Sequence, residues 1–240
     1  MKGLLLCVLL VCSAAPAFAV NTESRVRFRR DPGFFDTGRM QCIQWVNPAA
    51  PDTDVVASAV LLDSAAAGTH TFTTAQKAAF DASGHDGWAR TVSVDIGSWA
   101  DSNNDIAAGT VTVYGTNVLN ETVSQAFTIT NNTSNSQQGT VAFHTLTYFT
   151  YTAMDDDSVG VSIGIGTKLG LWNTLPLDSM VLAWNGATAD ADAAITADDD
   201  EIEKNVIDFT TDPTGTTDFG VLYWIPPFAV VSTEIISGKY

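Results

Sequence analysis

The sequence contains little cysteine, and this scarcity excludes a disulfide framework. Cys7 and Cys12 lie in an apolar N-terminal run, so Cys42 is the single thiol of the remaining chain. One thiol can form neither an internal disulfide nor a cluster of thiolate metal ligands. A lone cysteine usually packs as a small apolar side chain, and a reactive or intermolecular thiol is the alternative.

Basic residues are also scarce, and this argues against nucleic-acid binding. The chain has 11 Lys and Arg against 27 Asp and Glu, which gives a formal net charge of −16. Because nucleic-acid backbones are anionic, the acidic body is expected to repel DNA and RNA. A surface rich in Asp and poor in Lys also fits a salty environment. Beyond residue 40 the basic residues are Lys77, Arg90, Lys168, Lys204 and Lys239.

Long apolar runs are missing beyond the N terminus, so no transmembrane span is expected in the mature chain. Residues 1–19 combine Lys2, the apolar stretch Gly3–Cys12 and small residues ending at Ala19. These are the three parts of a secretory signal, and the stretch is too short to cross a bilayer. We expect cleavage near Ala19, with a buried or uncleaved arm as the alternative.

Residues 20–50 predict an extended N-terminal arm that carries much of the positive charge. Arginine side chains can clamp an acidic neighbouring subunit, so they are candidate assembly residues. A solvated arm that neutralises the body and a dibasic processing site are the alternatives. The four clustered arginines are Arg25, Arg27, Arg29 and Arg30.

Residues 51–236 predict a β-rich body. Thr, Val, Gly and Ala are abundant, whereas Lys and Glu are scarce, a bias that favours strands and turns. Arg90–Ile96 alternates apolar and polar residues with a period of two, and only Thr74–Ala82 suggests a helix. Strands about ten residues apart predict an all-β fold, a β-sandwich or jelly-roll-like double sheet, with a barrel as the main rival.

Several segments of the body have specific predictions. The amides and hydroxyls of Asn131–Gln138 predict a long surface loop, which separates two possible β lobes at about 51–130 and 139–236. Four glycines occur from Gly160 to Gly170. The segment Gly164–Gly170 is predicted to form a tight bend that leads into a strand, Leu171–Leu177.

Two segments, one of them apolar and C-terminal, are candidates for strand exchange between subunits, because an exposed sheet edge accepts a partner strand. They are Phe219–Ile236 and, within the arm, Val20–Val46. If the arm docks on a neighbour, removal of residues 20–45 is expected to weaken assembly without unfolding the body.

Short motifs occur in a fixed order through the middle of the chain. They are WARTVSV at Trp88–Val94, GTVTVYGTN at Gly109–Asn117, ETVSQAF at Glu121–Phe127, VAFHTLT at Val141–Thr147, VGVSIGIGTKLGL at Val159–Leu171 and EKNVID at Glu203–Asp208. Their order, over about residues 55–225, resembles a group of tailed-phage proteins that are mostly uncharacterised or described as virion structural proteins. The resemblance implies a β-rich accessory protein of the capsid or tail, without enzymatic activity.

Acidic clusters are the main candidate site. Their carboxylates suit Ca²⁺, although the spacing does not match the twelve-residue calcium loop, and solvated loops are the alternative. Paired carboxylates could also serve a polysaccharide hydrolase. No nucleophile elbow, paired-histidine motif or phosphate loop occurs, so we predict no enzyme and no obligatory cofactor. The calcium candidates are Asp155, Asp156, Asp157, Asp190 and Asp192.

The leading functional hypothesis is therefore a virion structural protein, a phage capsid-associated or decoration-like subunit. Its predicted partners are other virion proteins and further copies of itself, in a homo-oligomer. The alternative is a secreted or cell-surface structural or adhesion protein, which the signal-like segment favours and which would have other surface-structure proteins as partners. A secreted polysaccharide hydrolase is the third hypothesis.

Overall fold

The computed structural model describes residues 39–62, 66–82, 88–98, 108–130, 135–153 and 159–225. The predicted signal segment, the arginines from Arg25 to Arg30 and the cluster Asp155–Asp157 lie outside these ranges. In chain order the strands are β1 (Arg39–Trp45), β2 (Asp52–Leu61), β3 (Gly68–Thr71), β4 (Arg90–Ser98), β5 (Gly109–Thr116), β6 (Thr122–Ile129), β7 (Asn135–Phe143), β8 (Thr145–Tyr151), β9 (Val159–Gly170), β10 (Met180–Asn185), β11 (Thr188–Ala189), β12 (Ala194–Thr196), β13 (Val206–Asp208) and β14 (Phe219–Ile225).

The strands form three sheets in which every pairing is antiparallel. Sheet A has the order β1-β14-β10-β11, and sheet C has the order β3-β8-β5-β6. Sheet B has the order β12-β13-β9-β4-β7, and β2 also pairs with β9. The prediction of an all-β, sandwich-like fold is therefore confirmed.

The first hydrophobic core lies between sheets B and C. In β5 the side chains alternate, so that Val111 and Val113 are buried while Thr110 and Thr112 face outward. Phenylalanines of β6 and β8 lie beside them in sheet C, and valines and isoleucines of β4 and β9, with a phenylalanine of β7, oppose them from sheet B. Burial of these apolar surfaces is the main force that holds the two sheets together.

The predicted helix is confirmed as α1, Thr74–Ala82. Thr73 and Gln76 form a reciprocal capping box, because the Gln76 amide donates to Thr73 Oγ1 (3.2 Å) and the Thr73 amide donates to Gln76 Oε1 (2.8 Å). Phe80 anchors the helix in the first core, where it is fully buried.

The second hydrophobic core lies beneath sheet A. Ile43 and Trp45 of β1 and Val221 and Tyr223 of β14 point inward. They meet apolar side chains from the far end of sheet B and from the loops beside it. Strand β9 joins the two cores, since Val161, Ile163 and Ile165 enter the first core and Leu169 enters the second. The side chains that the far end of sheet B and its loops add to the second core are those of Leu171, Leu175, Ile195, Ile207 and Phe209.

Two segment predictions are wrong. Gly164–Gly170 is not a bend, because β9 continues to Gly170, and Leu171–Leu177 is not a strand. Asn135–Gln138 belongs to β7 rather than to a loop, because its backbone pairs with β4. Residues 131–134 lie outside the described residues. The lobe boundaries themselves stay a prediction.

The two candidate exchange segments pair with each other inside one chain. Strand β1 runs antiparallel to β14 in unbroken register from Arg39 opposite Ile225 to Trp45 opposite Phe219. Residues Arg39–Trp45 of the predicted arm therefore belong to the β-rich body. Removal of residues 20–45 would delete an entire strand, including the fully buried Trp45, so that deletion cannot leave the body intact.

Candidate functional site

The described residues form an open cleft of about 460 Å³ beside the β5–β6 hairpin. One wall is the hairpin loop, and the others come from the segment after β9 and from the acidic segment before β13. The cleft combines carboxylates, amides and one indole. Its main lining residues are Asn117, Glu121, Trp172, Asn173, Asp200 and Glu203.

Asn117 organises this cleft. Its side-chain oxygen accepts hydrogen bonds from the amides of Leu119 (2.9 Å) and Glu121 (3.0 Å), which fixes the hairpin loop. Its Nδ2 donates to Glu121 Oε2 (3.0 Å) and to Glu203 Oε2 (3.2 Å). Since both oxygens accept from one nitrogen, at most about 6 Å separates them, close to the carboxylate spacing of retaining glycosidases.

Asn205 holds the opposite wall in place. Its Oδ1 accepts from the amides of Leu175 (3.0 Å) and Asp198 (3.0 Å), and its Nδ2 donates to the carbonyl oxygens of Asp198 and Glu201. Asn205 is fully buried, so the loss of these bonds would leave backbone groups unsatisfied. The Glu203 carboxylate is therefore positioned by a network rather than by a mobile loop.

The calcium candidates are only partly described. Asp190 accepts hydrogen bonds from the amide (2.9 Å) and hydroxyl (2.6 Å) of Thr210, so its carboxylate ties two loops together. Asp192 is exposed. Within the described ranges, no group of three or more His, Cys, Asp or Glu residues is arranged to hold a metal ion. A calcium site that includes Asp155–Asp157 stays a prediction.

The outer face of sheet A is apolar. Because Ile43, Val221 and Ala183 point into the core, alternation places their neighbours on the opposite face. There, Cys42 and Leu182 both pair with Leu222 in the register, and Met40 pairs with Trp224. These five residues are half-buried.

Trp184 lies flat on this same face. Its indole sits over Gly220, where a Cβ atom would come within 2.0 Å of the ring. Only a glycine leaves room for that arrangement. Apart from Arg39, strands β1, β10 and β14 contain no charged residue. The face is polar at one end, where Gln44, which pairs with Gly220, donates from Nε2 to Asp218 Oδ2 (3.2 Å).

The outer face of sheet C is uncharged but rich in hydroxyls. None of its four strands contains Asp, Glu, Lys or Arg. Two adjacent rows of outward-facing side chains run across the four strands. In the second row Tyr114 stacks on Tyr148, with ring centroids 4.5 Å apart. One row is Thr69, Thr150, Thr112 and Ala126, and the other is Thr71, Tyr148, Tyr114 and Ser124.

Arg90 is a buried cation in sheet B. Its Nε donates to the carbonyl oxygen of Gly166 (2.9 Å), where the register of β9 against β4 shifts. Its two Nη atoms have no hydrogen-bond partner within the described part of the chain. Burial lowers the pKa of Arg90 to about 10, while the nearby charge of Asp212 raises it.

The histidines do not converge among the described residues. His70 stacks on Phe149 and lies 3.4 Å from Gln76 Oε1, whereas His144 connects β7 to β8. His85 lies outside the described ranges.

Sequence reasoning missed Asn117, Glu121 and Glu203 as a group. Asn117 and Glu121 lie four residues apart in one hairpin loop, but Glu203 follows 82 residues after Glu121. A spacing of that length carries no local signal.

Comparisons with family models, with curated proteins and with solved structures give no match. In the described part of the chain, no helix combines the length and the hydropathy needed to cross a bilayer.

Proposed function

We propose that this chain is a structural protein of a virus particle, a capsid-associated or decoration-like subunit that assembles through β surfaces and its N-terminal arm. The observation that carries the proposal is the largely apolar outer face of sheet A. An apolar surface of this kind is a candidate interaction site. The order of the motifs from Trp88 to Asp208, which resembles virion proteins of tailed phages, supports the choice of particle.

Electrostatics favour this face over the carboxylate-bearing parts of the surface. Two copies of a chain with a net charge of −16 repel each other wherever their carboxylates approach. The side chains of Leu182, Trp184, Leu222 and Trp224 bring no carboxylate, so contact through them removes apolar surface from water without bringing like charges together. Arginines of the arm would add attraction to an acidic neighbour.

The dimensions of the face fit a weak, repeated contact. Three paired strands of six or seven residues cover roughly 14 Å by 23 Å, about 300 Å². A stable interface of standard size buries about 800 Å² per partner. One such contact is therefore weak, and many of them on a particle gain strength from multivalency.

Among the described strands, β1 is the outermost strand of sheet A on one side. Within the described residues β1 pairs with β14 alone, and the strand contains no proline and no acidic residue. Its register with β14 shows no bulge. Such an edge accepts a further strand.

Mass spectrometry of purified particles tests the proposal. We expect the chain in stoichiometric amounts, and a Leu182→Lys variant should be incorporated at least tenfold less. Thr188→Lys, an exposed position of the same sheet, is the matched control and should be incorporated normally. Absence of the wild-type chain from particles would exclude the virion function and favour the secreted or cell-surface structural protein.

The cleft supports a second candidate function, a polysaccharide hydrolase. Glu121 and Glu203 each accept from Asn117 Nδ2, so their Oε2 atoms lie within about 6 Å of each other, which is compatible with the carboxylate pair of a retaining glycosidase, and Trp172 supplies an aromatic wall. Release of reducing ends from a polysaccharide tests it. Glu121→Gln and Glu203→Gln should each lower the rate at least 100-fold, whereas Asp199→Asn, at an exposed position outside the lining, should not. Full activity of Glu203→Gln would exclude this candidate.

A further inference from the structure

We infer that the outer face of sheet C binds a neutral polysaccharide chain. The inference stands on a different sheet from the proposed assembly face and holds for a particle protein and for a cell-surface protein alike. It depends on three properties of the face: its charge, its hydrogen-bonding groups and its spacing.

The charge of the face selects against ionic partners. The chain carries a net charge of −16, yet the 4-stranded sheet C contains no Asp, Glu, Lys or Arg in any of its strands. An anionic polymer would be repelled by the rest of the body and would find no cation on this face. A cationic partner would bind the acidic loops instead. The remaining partner class is neutral.

The chemistry of the face matches a partner that carries hydroxyl groups. A Thr or Ser hydroxyl both donates and accepts, and its hydrogen rotates to suit the partner. Thr112 stands at the centre of the face, with Thr150 opposite it on β8 and Ala126 opposite it on β6. Sugar hydroxyls have the same dual capacity, so each contact can be satisfied in either direction.

The side-chain positions on this face repeat at regular distances, as the units of a polymer do. Neighbouring strands lie about 4.8 Å apart, and side chains two residues apart on one strand are separated by about 6.7 Å. A chain laid across the strands along the Thr112 row would meet one position on every strand. The strand spacing is about the rise of one sugar unit in an extended polysaccharide. The neighbouring row adds the stacked pair Tyr114 and Tyr148, whose phenol groups extend the array.

The face also leads into the cleft. Thr122 is the first residue of β6, pairs with Thr116 and lines the cleft. Thr116 and Thr145 continue the hydroxyl array at this end, with their Oγ1 atoms 2.7 Å apart. The cleft, with Trp172 in its wall, therefore lies at one end of these strands, beside the rows that a polymer would follow.

Sedimentation with insoluble polysaccharide tests this inference. Purified full-length protein is mixed with microcrystalline cellulose and with chitin, and depletion from solution is measured; alginate gels serve as the anionic comparison. We expect saturable depletion by at least one neutral polymer and none by alginate. The double variant Thr112→Val and Thr150→Val keeps the β-branched shape and removes two hydroxyls, so its affinity should fall at least tenfold. Thr188→Val, on sheet A, is the matched control and should bind as the wild type does.

Three outcomes of this experiment would contradict polysaccharide binding by sheet C. No depletion by either neutral polymer, equal binding to alginate, or unchanged affinity of the double valine variant would each overturn the inference. Circular dichroism of the double variant shows whether the fold is retained. If it is lost, Thr112→Ser and Thr150→Ser, which keep the hydroxyls, should bind as the wild type does, and Thr112→Ala should bind more weakly. The hydrolase proposal is tested independently by Glu121→Gln and Glu203→Gln. Binding of a polysaccharide without its hydrolysis would therefore support the present inference alone.

Discussion

Asn117 and Glu203, 86 residues apart in the chain, are joined by a hydrogen bond of 3.2 Å from Asn117 Nδ2 to Glu203 Oε2. Asn117 closes the β5–β6 hairpin at one end of sheet C, and Glu203 belongs to the turn Ile202–Lys204 that precedes β13. This single amide therefore connects the hairpin of the first core to the loop network of the second. It also holds two carboxylates at a short distance from each other.

Replacement of Asn117 should destabilise the protein. Asn117→Ala removes two acceptor and two donor contacts of a buried side chain, so we expect a loss of about 2 kcal/mol in the free energy of unfolding. Asn117→Asp should cost more at pH 7 than at pH 4, because three carboxylates then meet in one place. Urea denaturation at both pH values measures this. Equal losses at the two pH values would show that the carboxylates do not interact through this position.

The Arg90 guanidinium should limit stability below about pH 10. Its pKa in the folded protein is about 10, below that of the unfolded chain, so between that pH and about 12 the unfolded state binds more protons and stability rises with pH. At lower pH the cost of burying the charge is fully present. Arg90→Met should therefore raise the free energy of unfolding at pH 7 by about 1 to 3 kcal/mol, even after the bond to Gly166 is lost.

Asp212 provides the control for that experiment. In the wild type, Asp212→Asn should lower stability by less than about 1 kcal/mol, since Asp212 is exposed and its charge is screened. In the Arg90→Met background the same change should have no effect. An equal effect of Asp212→Asn in both backgrounds would contradict an interaction between the two charges.

Gly164 should tolerate no larger residue. A Cβ atom there would lie 1.8 Å from the carbonyl oxygen of Asp52, a backbone atom of β2 that cannot rotate away. Gly164→Ala should cost about 2 to 3 kcal/mol through overpacking. Gly215→Asn is a useful comparison, because Gly215 has φ +78, which Asn also adopts, and its nearest atom is 3.9 Å away. Thermal melting compares the two variants, and equal melting temperatures would argue against this close approach.

The boundary between arm and body should fall near residue 38. Removal of residues 20–38 leaves β1 complete, so the free energy of unfolding should change little. Trp45→Ala should lower it by about 3 to 5 kcal/mol, because Trp45 is fully buried against Phe209 and Trp88. Val46→Ala, at a neighbouring position that is 57% exposed, should change it by less than about 0.5 kcal/mol. A folded, stable protein lacking residues 20–45 would contradict the role of β1.

Local patterns in the sequence determined the type of structure. The alternation in Arg90–Ile96 and in Gly109–Thr116 predicts strands, because side chains on a strand point to opposite faces and one face must be buried. Thr73 and Gln76 have the spacing of a capping box, and the helix begins there. These signals arise from residues within a few positions of one another, so they are present before any tertiary contact forms.

The tertiary structure alone decided which faces are covered and which distant residues meet. Alternation shows that Leu222 and Val221 face opposite ways, yet only sheet packing buries Val221 and leaves Leu222 on the outer face. The glycines of β9 suggest a bend in isolation, whereas in the fold Gly164 makes room for β2. Glu203 joins Asn117 because two loops converge. A contact between residues so far apart depends on the path of the whole chain, and no local pattern encodes that path.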